Sequence, residues 1–104
     1  MNSFLEIIKT EGENQTVLSL KGWLDSVTSS KLQSEIEEVI SRSKGDIILE
    51  ISELSFISSA GLRILLLTEN KCKEENRGHF IRGAGESARE LFEMTGFSKI
   101  LTIE

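Results

Sequence analysis

Apolar and polar residues alternate with a period of two at the start of the chain, and the period lengthens to about 3.6 after Gly22. A period of two marks a strand, whose successive side chains point to opposite faces. Two such segments, Phe4–Lys9 and Thr16–Lys21, flank the polar connector Thr10–Gln15, and together they predict a β-hairpin. Leu32, Ile36, Val39 and Ile40 then recur at i, i+4, i+7 and i+8 and predict an amphipathic helix over Thr28–Arg42. Glu35, Glu37 and Glu38 fall on its wet side. Lys44-Gly45 stops that helix, and Asp46–Ile51 follows, dense in apolar residues with little alternation, as in a central strand buried on both faces.

A second helix is predicted from Ser59–Ala60 to about Glu75. Its first half, with Leu62, Ile64, Leu65, Leu66 and Leu67, is apolar nearly all round and is expected to sit deep. Its second half, Glu69 to Arg77, reads as charged and wet apart from Cys72, and Gly78 ends it. His79–Arg82 is long enough only for a short strand. A third helix carries Ser87 with Glu90 three residues on, the spacing of a capping box. Ala88, Leu91, Phe92 and Thr95 line one of its faces, and Gly96 sits where a left-handed residue ends a helix, with Phe97 placed to touch Phe92. Lys99–Ile103 reads as a last strand.

The order is therefore β-β-α-β-α-β-α-β. Strands alternating with helices after an opening hairpin imply an α/β fold with a mixed, mostly parallel sheet and right-handed crossovers. No proline cluster, repeat or low-complexity tract divides residues 1–104, so one domain is expected.

Composition narrows the function classes. The chain has 12 basic and 17 acidic residues, a net charge of −5, which argues against binding nucleic acid or an anionic membrane through a basic face. With one cysteine, Cys72, neither an internal disulfide nor a CxxC metal or redox site is open to it, and helical spacing makes Cys72 a small core residue. No signal peptide and no membrane-length apolar run are seen, so a soluble cytoplasmic domain is expected.

Enzyme chemistry finds little support. The single histidine, His79, lies within a predicted strand, and there is no G-x-S-x-G elbow to present a serine. The acidic residues lie on predicted wet helix faces and form no metal-ligand spacing, so neither a metal nor a cofactor is expected. Gly83-Ala84-Gly85-Glu86-Ser87-Ala88 matches G-x-G-x-x-A, but the acid about 20 residues on would be Glu104, the last residue. A tight turn into a helix accounts for those glycines better. Trp23, after Gly22, is expected to pack at the sheet edge.

The informative segment is Leu54–Leu65, where a strand leads through a short loop into Ser58-Ser59-Ala60-Gly61-Leu62-Arg63. Either serine is placed to cap the helix by accepting a backbone N–H. The same helix start, with free amides and a favourable dipole, also accommodates a phosphate, and Ala60 and Gly61 leave it sterically open. Gly61 is expected to allow the helix start to pack closely on the loop after the central strand.

Here the chain resembles STAS domains, in particular bacterial anti-sigma factor antagonists. The resemblance covers the opening hairpin, Gly22-Trp23-Leu24-Asp25, the Ile48–Ile51 strand, Phe56–Leu62 and Leu91–Ile100. In that family the serine matching Ser59 is the one phosphorylated, and the domain is no enzyme. The resemblance implies partner switching: the unphosphorylated protein binds an anti-sigma factor that is also a serine kinase of the histidine-kinase-like ATPase fold. Phosphorylation ends that binding, and a PP2C-type serine phosphatase restores it. The chain departs from the family in carrying Ser58 where many members have aspartate, which makes Ser58 a competing acceptor, and Glu50 where aspartate is frequent. The resemblance also places the Asp25–Ser30 loop beside the serine helix. Asp25, Ser26, Ser58, Ser59, Ala60, Gly61 and Arg63 are thus the expected partner surface, on a monomer or weak dimer. The competing expectation is a STAS interaction subunit of a transport or signalling complex, in which Ser59 only caps.

Overall fold

The structure, a computed structural model, describes residues 4–104. The predicted order is observed: β1 (Leu5–Glu11), β2 (Gln15–Leu24), α1 (Thr28–Arg42), β3 (Asp46–Ile57), α2 (Ser59–Glu74), β4 (His79–Arg82), α3 (Glu86–Thr95) and β5 (Thr102–Ile103). The strands lie in chain order across one sheet, β1 antiparallel to β2 and the others parallel.

Each crossover between parallel strands steps one strand in the same direction, and crossovers of one hand then put every helix on the same face of the sheet. On that face Leu18, Leu20, Ile47, Leu49 and Ile81 meet Leu32, Ile36 and Val39 of α1, Leu62, Ile64, Leu65 and Cys72 of α2, and Phe92 of α3 in one buried cluster. The alternate residues, among them Val17, Lys21, Ile48, Glu50, Phe80 and Arg82, share the other face, which no helix covers among the described residues.

Several boundaries differ from the sequence reading. β3 extends six residues past the predicted Ile51, because two register shifts against β2 break the alternation that would have revealed it. Only Ser58 therefore separates the strand from the helix. Ser87 and Glu90 form no capping box; α3 starts at Glu86 with Gly85 at its N-cap and no side-chain cap bond. The turn before it is held instead by Gly83 at φ 79 and by the Arg89 Nε–H donating to the Ala84 carbonyl at 3.0 Å. Gly96 adopts the expected left-handed conformation, φ 82, and Phe97 packs against the cluster containing Phe92. It opens a 3-10 turn, Phe97–Lys99, and the last strand shrinks to two residues.

The second half of α2 is not uniformly wet. Glu69 is buried and its Oε1 lies 2.9 Å from Nδ1 of the buried His79. Arg77, beyond the helix, is also buried: its Nε–H donates to the Gly45 carbonyl at 2.9 Å and its guanidinium pairs with Glu75 at 2.9 Å. Conversely Leu67 is 40% exposed. Trp23 lies in β2, an interior strand, and its ring meets Phe56 edge-on across the uncovered face at 6.3 Å between centroids.

Candidate functional site

The carboxyl ends of the neighbouring parallel strands β2 and β3 lie level, with Leu24 opposite Ile57. The two segments that follow them, residues 25–27 and 58–61, are consequently held side by side. The Ser58 amide seals this junction by donating to the Leu24 carbonyl at 2.8 Å. Extended at φ −87, ψ 174, Ser58 is the N-cap of α2: its hydroxyl oxygen accepts the Gly61 amide at 3.2 Å, and its carbonyl accepts the Leu62 amide at 2.9 Å. The two serines are thereby distinguished. Ser58 is half-buried and committed to the cap, whereas Ser59, the first helical residue, is exposed. The amides of Ser59 and Ala60 are the first-turn donors that neither the helical ladder nor the cap satisfies.

At Gly61 the start of α2 lies close against the end of β2. A Cβ there would lie 2.8 and 2.9 Å from Leu24 side-chain atoms and 3.0 Å from the Leu24 carbonyl. The close approach predicted for this glycine exists, but the surface it meets is the end of β2 and not the loop after the central strand. Ala60 is half-buried and Arg63, one turn beyond Ser59, is exposed.

Asp25 has a structural task that the sequence reading missed. Its Oδ1 accepts the amides of Val27 and Thr28, each at 2.9 Å, while the Thr28 hydroxyl oxygen accepts the Asp25 amide at 2.9 Å. This reciprocal pair starts α1 in the way a capping box does. The signal was present as Asp-x-x-Thr before the first apolar-periodic residue. Ser26 and Val27 lie at the exposed tip, Val27 67% exposed, and Phe56 presents its 49% exposed ring two residues before Ser58. Val27 and Phe56 were absent from the predicted surface; an apolar residue in a turn and one on an uncovered sheet face are the signals for them.

The remaining reactive side chains are remote or inert. His79 pairs with Ile47, at the amino end of β3, so it stands at the opposite end of the sheet from Ser59. Burial lowers its pKa, with Glu69 partly opposing. Burial pushes the Cys72 thiol up to about 11, which keeps it protonated and unreactive. Among the described residues no group of three His, Cys, Asp or Glu side chains is placed to hold a metal ion, and no helix is long and apolar enough to cross a membrane.

Comparison with known proteins places this arrangement. The anti-sigma-F factor antagonist RsfB of Mycobacterium tuberculosis is 34% identical over 83 residues, 80% of this chain and 67% of that protein. The crystal structure of an anti-sigma factor antagonist from Mycobacterium paratuberculosis superimposes with a TM-score of 0.86 at 26% identity, covering 96% of this chain and 85% of that one. Unphosphorylated SpoIIAA, an anti-sigma factor antagonist, shares the fold with a TM-score of 0.80 at 18% identity, covering 97% of this chain and 88% of that one. SpoIIAA is also known in a phosphorylated form. The STAS domain profile matches residues 6–104, and with it the hairpin, the three crossovers and the serine-capped helix start: the chain belongs to the STAS domain family.

Proposed function

We propose that this protein is an anti-sigma factor antagonist controlled by phosphorylation of Ser59. The observation that carries the reading is the division of labour between the two serines: Ser58 is tied into the α2 cap while Ser59 stands exposed beside unsatisfied amides. The relatives named anti-sigma factor antagonists supply the partner class. Unphosphorylated, the surface around Asp25, Ser26, Ser58, Ser59, Ala60, Gly61 and Arg63 docks an anti-sigma factor that doubles as a serine kinase of the histidine-kinase-like ATPase fold. The Ser59 Oγ attacks the γ-phosphorus of ATP, loses its proton and displaces ADP. The phosphate adds about −1.5 to −2 charge to the contact surface, and the complex separates while the fold persists. A PP2C-type phosphatase hydrolyses the ester, returning the hydroxyl and releasing inorganic phosphate.

The test is a pull-down from the native cell with and without phosphatase treatment, followed by mass-spectrometric site mapping. Phosphatase treatment is expected to increase capture of a kinase-fold partner, and phosphate is expected on Ser59. Ser59→Ala is expected to hold the partner persistently and Ser59→Asp to bind weakly. Phosphate on Ser58 alone would move the switch by one residue. Partner capture with neither serine ever phosphorylated would favour a passive interaction subunit.

A further inference from the structure

Five arginines occur in the chain, and four are tied into the fold. Arg42 pairs with Glu11 and Glu38, Arg77 with Glu75, Arg82 with Glu104, and Arg89 donates to the carbonyls of Ala84 and Glu104. Arg63 is the exception: exposed, and without a hydrogen bond or ion pair among the described residues. It is also the sole ionisable side chain over residues 59–68 of α2, so no carboxylate on its own helix lies within one turn of it. The next acid along, Glu69, is buried against His79.

Arg63 stands four residues after Ser59 on a regular helix, the spacing at which side chains meet on one face. The order is the favourable one, with the anion nearer the amino end and the cation following it. The guanidinium fork matches the oxygens of a phosphate and holds them by charge-assisted hydrogen bonds. We infer that Arg63 is the intramolecular receptor of the Ser59 phosphate, folding back over it so that phosphorylation withdraws a free cation from the docking surface while adding an anion. This rests on the reading of Ser59 as phosphoacceptor and deepens it. An exposed charge of +1 beside the hydroxyl becomes a closed pair with a net negative charge. A partner surface selected for the first state meets the opposite sign in the second.

The experiment makes the inference independent of any kinase. Phosphoserine is installed at position 59 during translation in the otherwise native chain and in its Arg63→Lys and Arg63→Gln variants. The second phosphate ionisation, near pH 6 for a free phosphoserine, is then followed by 31P NMR. Helix amides and dipole are common to the three chains, so differences isolate residue 63. The native chain is expected to ionise about 0.3–1 pH unit below Arg63→Gln, with Arg63→Lys between them because an ammonium lacks the fork. Unchanged thermal melts of the unphosphorylated variants are expected, since Arg63 holds nothing in that state. Coincident titrations of the native and Gln chains would overturn the receptor role. The phosphoacceptor reading fails on a separate observation, the absence of phosphate from Ser59 in protein isolated from its own cells.

Discussion

At Gly61 a single missing methyl group sets how closely the serine helix approaches β2. Gly61→Ala would press its Cβ into the Leu24 side chain and carbonyl, a contact that the backbone carbonyl cannot relieve by a rotamer change. The expected loss is about 1–3 kcal/mol in a urea titration, the range of an overpacked core. Ser58→Ala removes the acceptor of the Gly61 amide and is expected to cost about 0.5–2 kcal/mol while leaving Ser59 exposed. His79 supplies a pH dependence. Its folded pKa is depressed, chiefly by burial, so the unfolded chain takes up the proton more readily. Stability is therefore full above the unfolded value of about 6.5 and declines as the pH falls below it. Urea midpoints at pH 7 and pH 5.5 are expected to differ more for the native chain than for His79→Gln.

The elements respond according to how they are tied together. α2 is amphipathic despite its leucine run: Leu65 is 1% exposed, Leu66 half-buried and Leu67 40% exposed. Leu65→Ala is expected to cost about 2–5 kcal/mol as a core truncation. Glu37→Ala, on the exposed side of α1, is expected to stay within about 0.5 kcal/mol. Arg77 holds three chain segments at once through the Ile40 carbonyl at the end of α1, the Gly45 carbonyl before β3, and Glu75 after α2. Arg77→Met would leave two half-buried carbonyls without their donor and is expected to cost about 1–3 kcal/mol in the same titration.

For the molecule as a whole, the uncovered sheet face is the surface that bears on self-association. Ile8 is 56% and Phe56 49% exposed on it, but the ion pairs Lys21–Glu53 and Arg82–Glu104 break the apolar surface into islands. We propose a monomer or weak dimer on that ground, to be checked by sedimentation at micromolar concentration, where a tight obligate oligomer would refute it. The charge of −5 is expected to steer the protein toward a basic partner surface, so the association rate should fall as salt rises. A salt-independent rate would remove long-range attraction from the account.

Periodicity was enough to order the elements, place the hairpin and crossovers, and assign Leu32, Ile36, Val39 and Cys72 to the core, because the facing of a side chain within a helix or strand is a local property. The Ser-Ser-Ala-Gly stretch likewise announced a capped helix start through interactions spanning three residues. Tertiary structure decided the rest. A local S-x-x-E pattern at Ser87–Glu90 lost to a turn fixed by Gly83 and Arg89, and bulges against β2 hid half of β3. Glu69 and Arg77 look like solvent-facing charges on a helical wheel. They are buried because α2 crosses β4 where His79 begins it, and because the Ile40 and Gly45 carbonyls, more than thirty residues from Arg77 in sequence, need a donor. Which serine caps and which is exposed also depended on the strand end: the Ser58 amide donates to the Leu24 carbonyl where β3 stops and α2 begins, a contact between segments more than thirty residues apart that no local pattern records.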